Sequence, residues 1–183
     1  ADPLRHDRVV AHARAAQGLL RYHAVMATPA PDRIANLGSV RAEMMAENLC
    51  AILAREHRCG PSLIFAHNAH LQRARSLMSA DCGGVSWGSA GALVGSALGD
   101  RYLVVTTDAA ESSDPHTLQG LLAQAATGRT LFPAPDLRAT LPDGLESAEP
   151  LVPGHIPLQP SDVEAADALI LLTGIDVKQY RYW

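Results

Sequence analysis

Apolar positions in this chain follow a helical period at the start and shorter, strand-like runs later. Asp2-Pro3 reads as an N-cap with proline at the first helical position. The spacing predicts a helix to about Met26, with Val9, Ala13, Ala16, Leu19, Leu20 and His23 near one face. Thr28-Pro29-Ala30-Pro31 breaks it. Asp32 is then expected to cap a second helix over 33–57, its apolar positions Ile34, Leu37, Met44, Met45, Leu49, Ile52 and Leu53 again keeping helical spacing, and Cys59-Gly60-Pro61 to end it. The run Ser62 to Ala66 reads as a buried strand ending in His67-Asn68-Ala69-His70. Asn68 is the expected N-cap of a short helix to about Met78, followed by a loop at Asp81-Cys82-Gly83-Gly84. A helix is expected from Ser86 to Leu98, with Gly91 and Gly95 allowing a close neighbour, and a β-rich run from Tyr102 to Thr107. Asp114-Pro115 is expected to start a helix to about Thr127, closed by Gly128. Residues 129–160 are proline-rich, with room for one short strand. Ser161 to Glu164 resembles a capped helical turn, and Ala168 to Leu172 a last buried strand. This order predicts an α/β fold: a mostly parallel sheet flanked by helices, with an N-terminal helical pair. No internal repeat or linker marks a boundary, so residues 1–183 are expected to form a single domain.

Composition narrows the class. Hydrophobic residues make up 48% of the 183 positions and aromatics only 4%, which fits a globular chain with an aliphatic core. The formal net charge of -4 and the lack of a basic stripe argue against a nucleic-acid partner. No apolar run reaches the roughly 18 residues of a membrane span, and Val85 to Leu98 is broken by Gly88, Gly91 and Gly95, so no membrane partner is expected. Cys50, Cys59 and Cys82 form an odd, unpaired set that reads as thiols of a reducing, cytoplasmic setting.

Two constellations carry candidate chemistry. His67 and His70 stand three apart at the end of the apolar run, where ligands gather in α/β proteins. On a continuous strand they would face opposite ways, and in a tight turn or first helical turn they converge. The pair reads as a base with a positioning group, as two metal ligands lacking an obvious third, or as a structural coincidence. Upstream, Arg41, Met45 and Asn48 share one helix face. A cation and an amide there either meet a polar partner or reach solvent at the edge. Trp87 is read equally as a pocket wall or as core packing. His155 lies in a loop that could reach the site, but is expected to be a solvent-exposed loop histidine, and Tyr180 to Trp183 is read as a surface or partner contact or, the expected case, an unremarkable tail.

Arg41, then Met45-Ala46-Glu47-Asn48 on a helix, then Ala66-His67-Asn68-Ala69-His70 with Leu71-Gln72-Arg73, resembles the erythromycin esterase family. Ser89-Ala90-Gly91-Ala92 and Leu98-Gly99-Asp100-Arg101-Tyr102 fit the same pattern. So do Ile156 to Pro160 and Ala166-Asp167-Ala168, with Gln159 where aspartate is more usual. The likeness runs from about residue 38 onward. It implies a hydrolase that opens a carboxylic ester or macrolactone with activated water, linked to antibiotic response, with a small-molecule ester as partner; separately, no cofactor is expected. His67, His70 and Arg41 would be catalytic, and Asn48, Asn68 and Trp87 would bind substrate. The family's upstream site element, Gly-Glu-x-x-His, does not occur in these 183 residues. That absence and the Ala-Asp-Pro opening lead to the expectation that the chain is the C-terminal portion of a larger domain. The alternatives are a catalytically silent binding or scaffold module of the same fold, or a metal-binding protein using the histidine pair.

Overall fold

The computed structural model describes residues 3–78, 84–111 and 113–175. It divides into two compact units, one ending at Tyr102 and the other starting at Leu103. The architecture is mixed α/β, with an N-terminal helical pair and two small sheets.

In the first unit, α1 (Pro3–Ala27) and α2 (Arg33–Glu56) form close to where their periodicity places them. Asp2 lies outside the described residues. Asp32 is at the N-cap of α2 but makes no side-chain capping bond. The expected face of α1 is corrected. Val9, Leu19 and Leu20 are exposed, as are Ala13, Ala16 and His23, whereas Gly18 is buried and Tyr22 and Val25 are half-buried. Close approach decides this face, because a Cβ on Gly18 would lie 2.7 Å from Met44 Cε of α2. Arg21 donates to both carboxylate oxygens of Glu47 at 2.9 and 2.8 Å and lies 3.8 Å from Glu43.

Residues 61–67 carry no regular secondary structure, which corrects the expected strand at Ser62 to Ala66. Burial still alternates with a period of two. Leu63 and Phe65 are 94% and 91% exposed, while Ile64 and Ala66 are half-buried. The strand-like pattern is present, and the ladder partner that would make it a strand is not found among the described residues. After one helical turn, α3 (Asn68–Leu71), the chain forms β1 (Arg75–Met78), antiparallel to β2 (Val85–Gly88), with Arg75 opposite Gly88 and Met78 opposite Val85. These strands replace helix expected over both segments. Arg75 to Met78 offers no apolar helical stripe, and Val85 and Trp87 fit a pleated surface. Residues 79–83, with Asp81, Cys82 and Gly83, lie outside the described residues. Helix α4 (Ala90–Leu98) is capped by Ser89, whose hydroxyl accepts from Ala92 N at 2.9 Å, and it ends at Gly99, φ 56°. Ala42, Ala46, Ala90 and Val94 form the core of this unit, with Met45, Trp87 and Tyr102 packed on it.

The second unit holds β3 (Val105–Ala110), α5 (Leu118–Ala123), β4 (Arg129–Pro133), α6 (Ala134–Thr140), α7 (Asp162–Ala165) and β5 (Ala168–Thr173). The sheet order is β3-β5-β4. β3 and β5 are parallel, with Val105 opposite Ala168, and β4 and β5 are antiparallel, with Arg129 opposite Leu172. The mostly parallel sheet is therefore corrected to small sheets that are antiparallel or mixed. The helix expected from Asp114-Pro115 shortens to α5, capped by Thr117, and Gly128 closes the segment at φ 66°. The proline-rich stretch yields an element beyond the expected strand, α6, with Pro135 in its first turn. Ser161 precedes α7 without a side-chain cap, and Asp162 accepts from Gln159 N at 2.8 Å instead. Leu118, Leu158, Val163, Leu169 and Leu171 dominate the core.

A polar knot lies inside that core. The Asp108 side chain is 1% exposed. Its Oδ1 accepts from His155 Nε2 at 2.8 Å and Ala109 N at 2.7 Å, and its Oδ2 accepts from Gln119 Nε2 at 2.7 Å and Leu158 N at 2.8 Å. Gln119 also accepts from Ala148 N at 2.9 Å. Leu151 N donates to His155 Nδ1 at 3.1 Å, so the His155 proton belongs on Nε2, pointing at Asp108. His155 is thus a held histidine rather than a solvent-exposed one.

Cys50 and Cys59 are exposed thiols. Among the described residues, no helix is long and apolar enough to cross a membrane. Tyr180 to Trp183 lie outside the described residues.

Candidate functional site

The His67–His70 segment is shaped by its own side chains. His67, not Asn68, is the N-cap of α3: its Nδ1 accepts from Ala69 N at 3.2 Å, and Asn68 becomes the first helical residue. The chain therefore turns at His67 and brings His70 round to it. The two ring centroids are 6.4 Å apart at 66°. Three carbonyls of this turn are tied down from outside it. Ala69 O accepts from Ser76 Oγ, Leu71 O from Tyr102 OH at 2.6 Å, and Gln72 O from Ser89 Oγ at 2.6 Å. The first turn of α4 abuts the same backbone. A Cβ on Gly91 would collide with Leu71 O and lie 2.5 Å from Gln72 O, and one on Gly95 would lie 3.1 Å from the Tyr102 ring. The expected close approach at these two glycines is therefore onto the histidine turn and the residue that anchors it.

A cavity of about 190 Å³ opens beside this turn. Arg41 and Ala42 of α2, His70, Trp87 of β2 and Tyr22 of α1 line it, with Ile34 and Leu37 supplying aliphatic wall. Trp87 reaches it by lying on Gly38, where a Cβ would come within 2.5 Å of the indole. Arg41, His70 and Trp87 are thus brought together. His67 is exposed at the turn, and Asn48 and Asn68 are half-buried; none of these three lines the cavity. Tyr22 does not stand out in the sequence. Its signal is the face it shares with Gly18 at i, i+4, masked by the stronger apolar residues on the other side of α1.

The electrostatics are asymmetric. Glu43 and Glu47, which follow Arg41 on α2, are engaged by Arg21. Among the described residues, the Arg41 guanidinium has no carboxylate partner. Desolvation, the Arg41 charge and His67 together hold the His70 imidazole below its ordinary value, so the uncharged ring is favoured. Neither ring nitrogen of His70 has a hydrogen-bond partner among the described residues. An uncharged imidazole with an open lone pair, next to a fixed cation, can accept a proton and stabilise developing negative charge. Among the described residues, no cluster of three His, Cys, Asp or Glu side chains is placed to hold a metal ion.

A larger, shallower depression of about 530 Å³ lies in the second unit. It is lined by Ala110 at the end of β3, Glu111 just beyond it, Thr173 and Gly174 at the end of β5, and Ser113. Among the described residues it offers one carboxylate and two hydroxyls but no imidazole or cation.

A mixed α/β chain with a histidine-bearing turn and an arginine sharing one small cavity defines the class. The erythromycin esterase family model matches residues 1–139, and the chain belongs to that family. That match includes Arg41 and the histidine turn, and it ends before the segment at Ile156 to Ala168. A solved structure of a Bacillus cereus protein is similar in fold, with a TM-score of 0.57 at 18% identity over 84% of this chain and 42% of that one. The chain thus spans less than half of that protein's length. No curated protein matches it.

Proposed function

We propose that this chain supplies the histidine–arginine portion of a site that hydrolyses a small-molecule carboxylic ester with water. The observation that carries this reading is the shared cavity of His70 and Arg41, with the imidazole biased towards its uncharged form. His70 takes a proton from water as the water oxygen attacks the ester carbonyl. Arg41 faces the oxyanion that forms, a contribution of about 3 kcal/mol for a well-placed donor. The tetrahedral intermediate then expels the alkoxide, which recovers the proton from His70. His67, one turn away, helps keep His70 uncharged. Trp87 and Tyr22 form the aromatic wall for the substrate. In a longer chain of the family, the Gly-Glu-x-x-His element would join this site and share the activation of water.

The test is hydrolysis of p-nitrophenyl esters and of erythromycin by the wild-type chain, His70→Ala and Arg41→Gln. A lost general base costs about 10²–10⁴-fold, and a lost oxyanion partner about 100-fold. Turnover only by a chain that also carries Gly-Glu-x-x-His would mean that both segments are needed to complete the site. Full activity in His70→Ala would contradict the reading. Ligand binding without turnover in any chain would favour the silent binding module instead.

A further inference from the structure

The geometry points to a compact monocarboxylate with an apolar body as the ligand of the Arg41–His70 cavity, held by an arginine–carboxylate pair with its body against Trp87 and Tyr22. This rests on the proposed hydrolase reading and names the acid half of the ester that the site would take.

Size comes first. Pockets that take drug-sized ligands measure roughly 300–1,000 Å³, and this cavity offers about 190 Å³. A macrolactone ring does not fit inside it, whereas a benzoate or a branched short-chain acid does. Charge comes next. Arg21 occupies Glu43 and Glu47, and Arg41 is left without a carboxylate among the described residues. Beside it stands the His70 imidazole, whose uncharged form is favoured by burial and by the Arg41 charge. Among the described residues, Arg41 is the one arginine or lysine lining the cavity, which matches one carboxylate. A planar carboxylate also matches the guanidinium fork. The walls select the rest of the ligand. Tyr22, Trp87, Ile34 and Leu37 are aromatic or aliphatic, so an apolar body is favoured over a sugar or a polyol.

The chain has two tryptophans, Trp87 and Trp183. A Trp183→Phe chain leaves Trp87 as the only indole and makes its fluorescence a direct readout of the cavity. Titration with benzoate should give saturable quenching, and benzamide, the uncharged isostere, should bind at least tenfold more weakly. Arg41→Gln should weaken benzoate at least tenfold, and Arg41→Lys should recover some of that loss. Arg41 is exposed on α2, so both variants should keep the circular dichroism of the parent. Equal binding of benzoate and benzamide, or no effect of Arg41→Gln, would overturn the inference. Ester hydrolysis separates this inference from the reading beneath it. Turnover of esters without benzoate binding sinks only the carboxylate pocket. Arg41-dependent benzoate binding without turnover of any ester sinks only the hydrolase.

Discussion

His155 and His70 are the same side chain in two opposite situations. In the second unit, His155 has both ring nitrogens engaged, one by Leu151 N and one by Asp108. It closes a buried network and has no lone pair left over. In the first unit, His70 lines a cavity, and its ring nitrogens have no hydrogen-bond partner among the described residues. The fold holds its backbone instead, through Ser76, Tyr102 and Ser89 on the neighbouring carbonyls. A histidine fixed by its ring serves stability. One fixed by its backbone, with the ring left available, is suited to chemistry. Motif position alone does not separate the two.

The comparison can be broken most severely at Asp108. Asp108→Ala would leave His155 Nε2 and the N–H groups of Ala109 and Leu158 without their acceptor and remove one of the bonds of Gln119, at a cost on the order of 3–5 kcal/mol. Urea unfolding should show this loss, and an unchanged midpoint would mean the knot does not carry the second unit. His155→Ala removes one arm of the same network and should cost about 1–3 kcal/mol in the same measurement. Gly91→Ala should cost about the same, because its Cβ meets the Leu71 carbonyl, a backbone neighbour that does not yield easily. It should also disturb the histidine turn, so any esterase rate should fall with the melting temperature. His70→Ala is the smallest effect on stability, within about 0.5 kcal/mol, even though it is the variant expected to lose hydrolysis. If His70→Ala destabilised the chain as much as His155→Ala, the distinction between the two histidines would fail.

The helical pair is legible in the sequence because Pro3 and the Thr28 to Pro31 break delimit long periodic segments. The face of α1 is not, because a glycine's value in close packing depends on what approaches it, here Met44. Ser62 to Ala66 carries the alternation of a strand, but a strand needs a ladder partner, which no local pattern supplies. Met78 and Trp87 read as helical from sequence because the β1–β2 pairing that orders them is a tertiary fact. At the candidate site, the convergence of His67 and His70 follows from the need for a turn. The meeting of Arg41, His70 and Trp87 in one cavity depends on Gly38 admitting the indole. His155 escapes a local reading because its partner is 47 residues away. The usable signal is Asp108 itself, a lone carboxylate just beyond the apolar run at Tyr102 to Thr107, where a buried charge requires donors.

The central claim is that Arg41 and His70 line a single cavity, so that the cation helps favour the uncharged imidazole. Removing the Arg41 charge removes one of the causes that lower the His70 value, so its titration must move towards higher pH. An NMR titration of the His70 ring in wild type and in Arg41→Gln reads this directly. The account predicts a wild-type midpoint below the ordinary histidine value of about 6.5 and an upward shift in the variant. A midpoint at or above that value in wild type, or one that does not move when Arg41 is replaced, would contradict it.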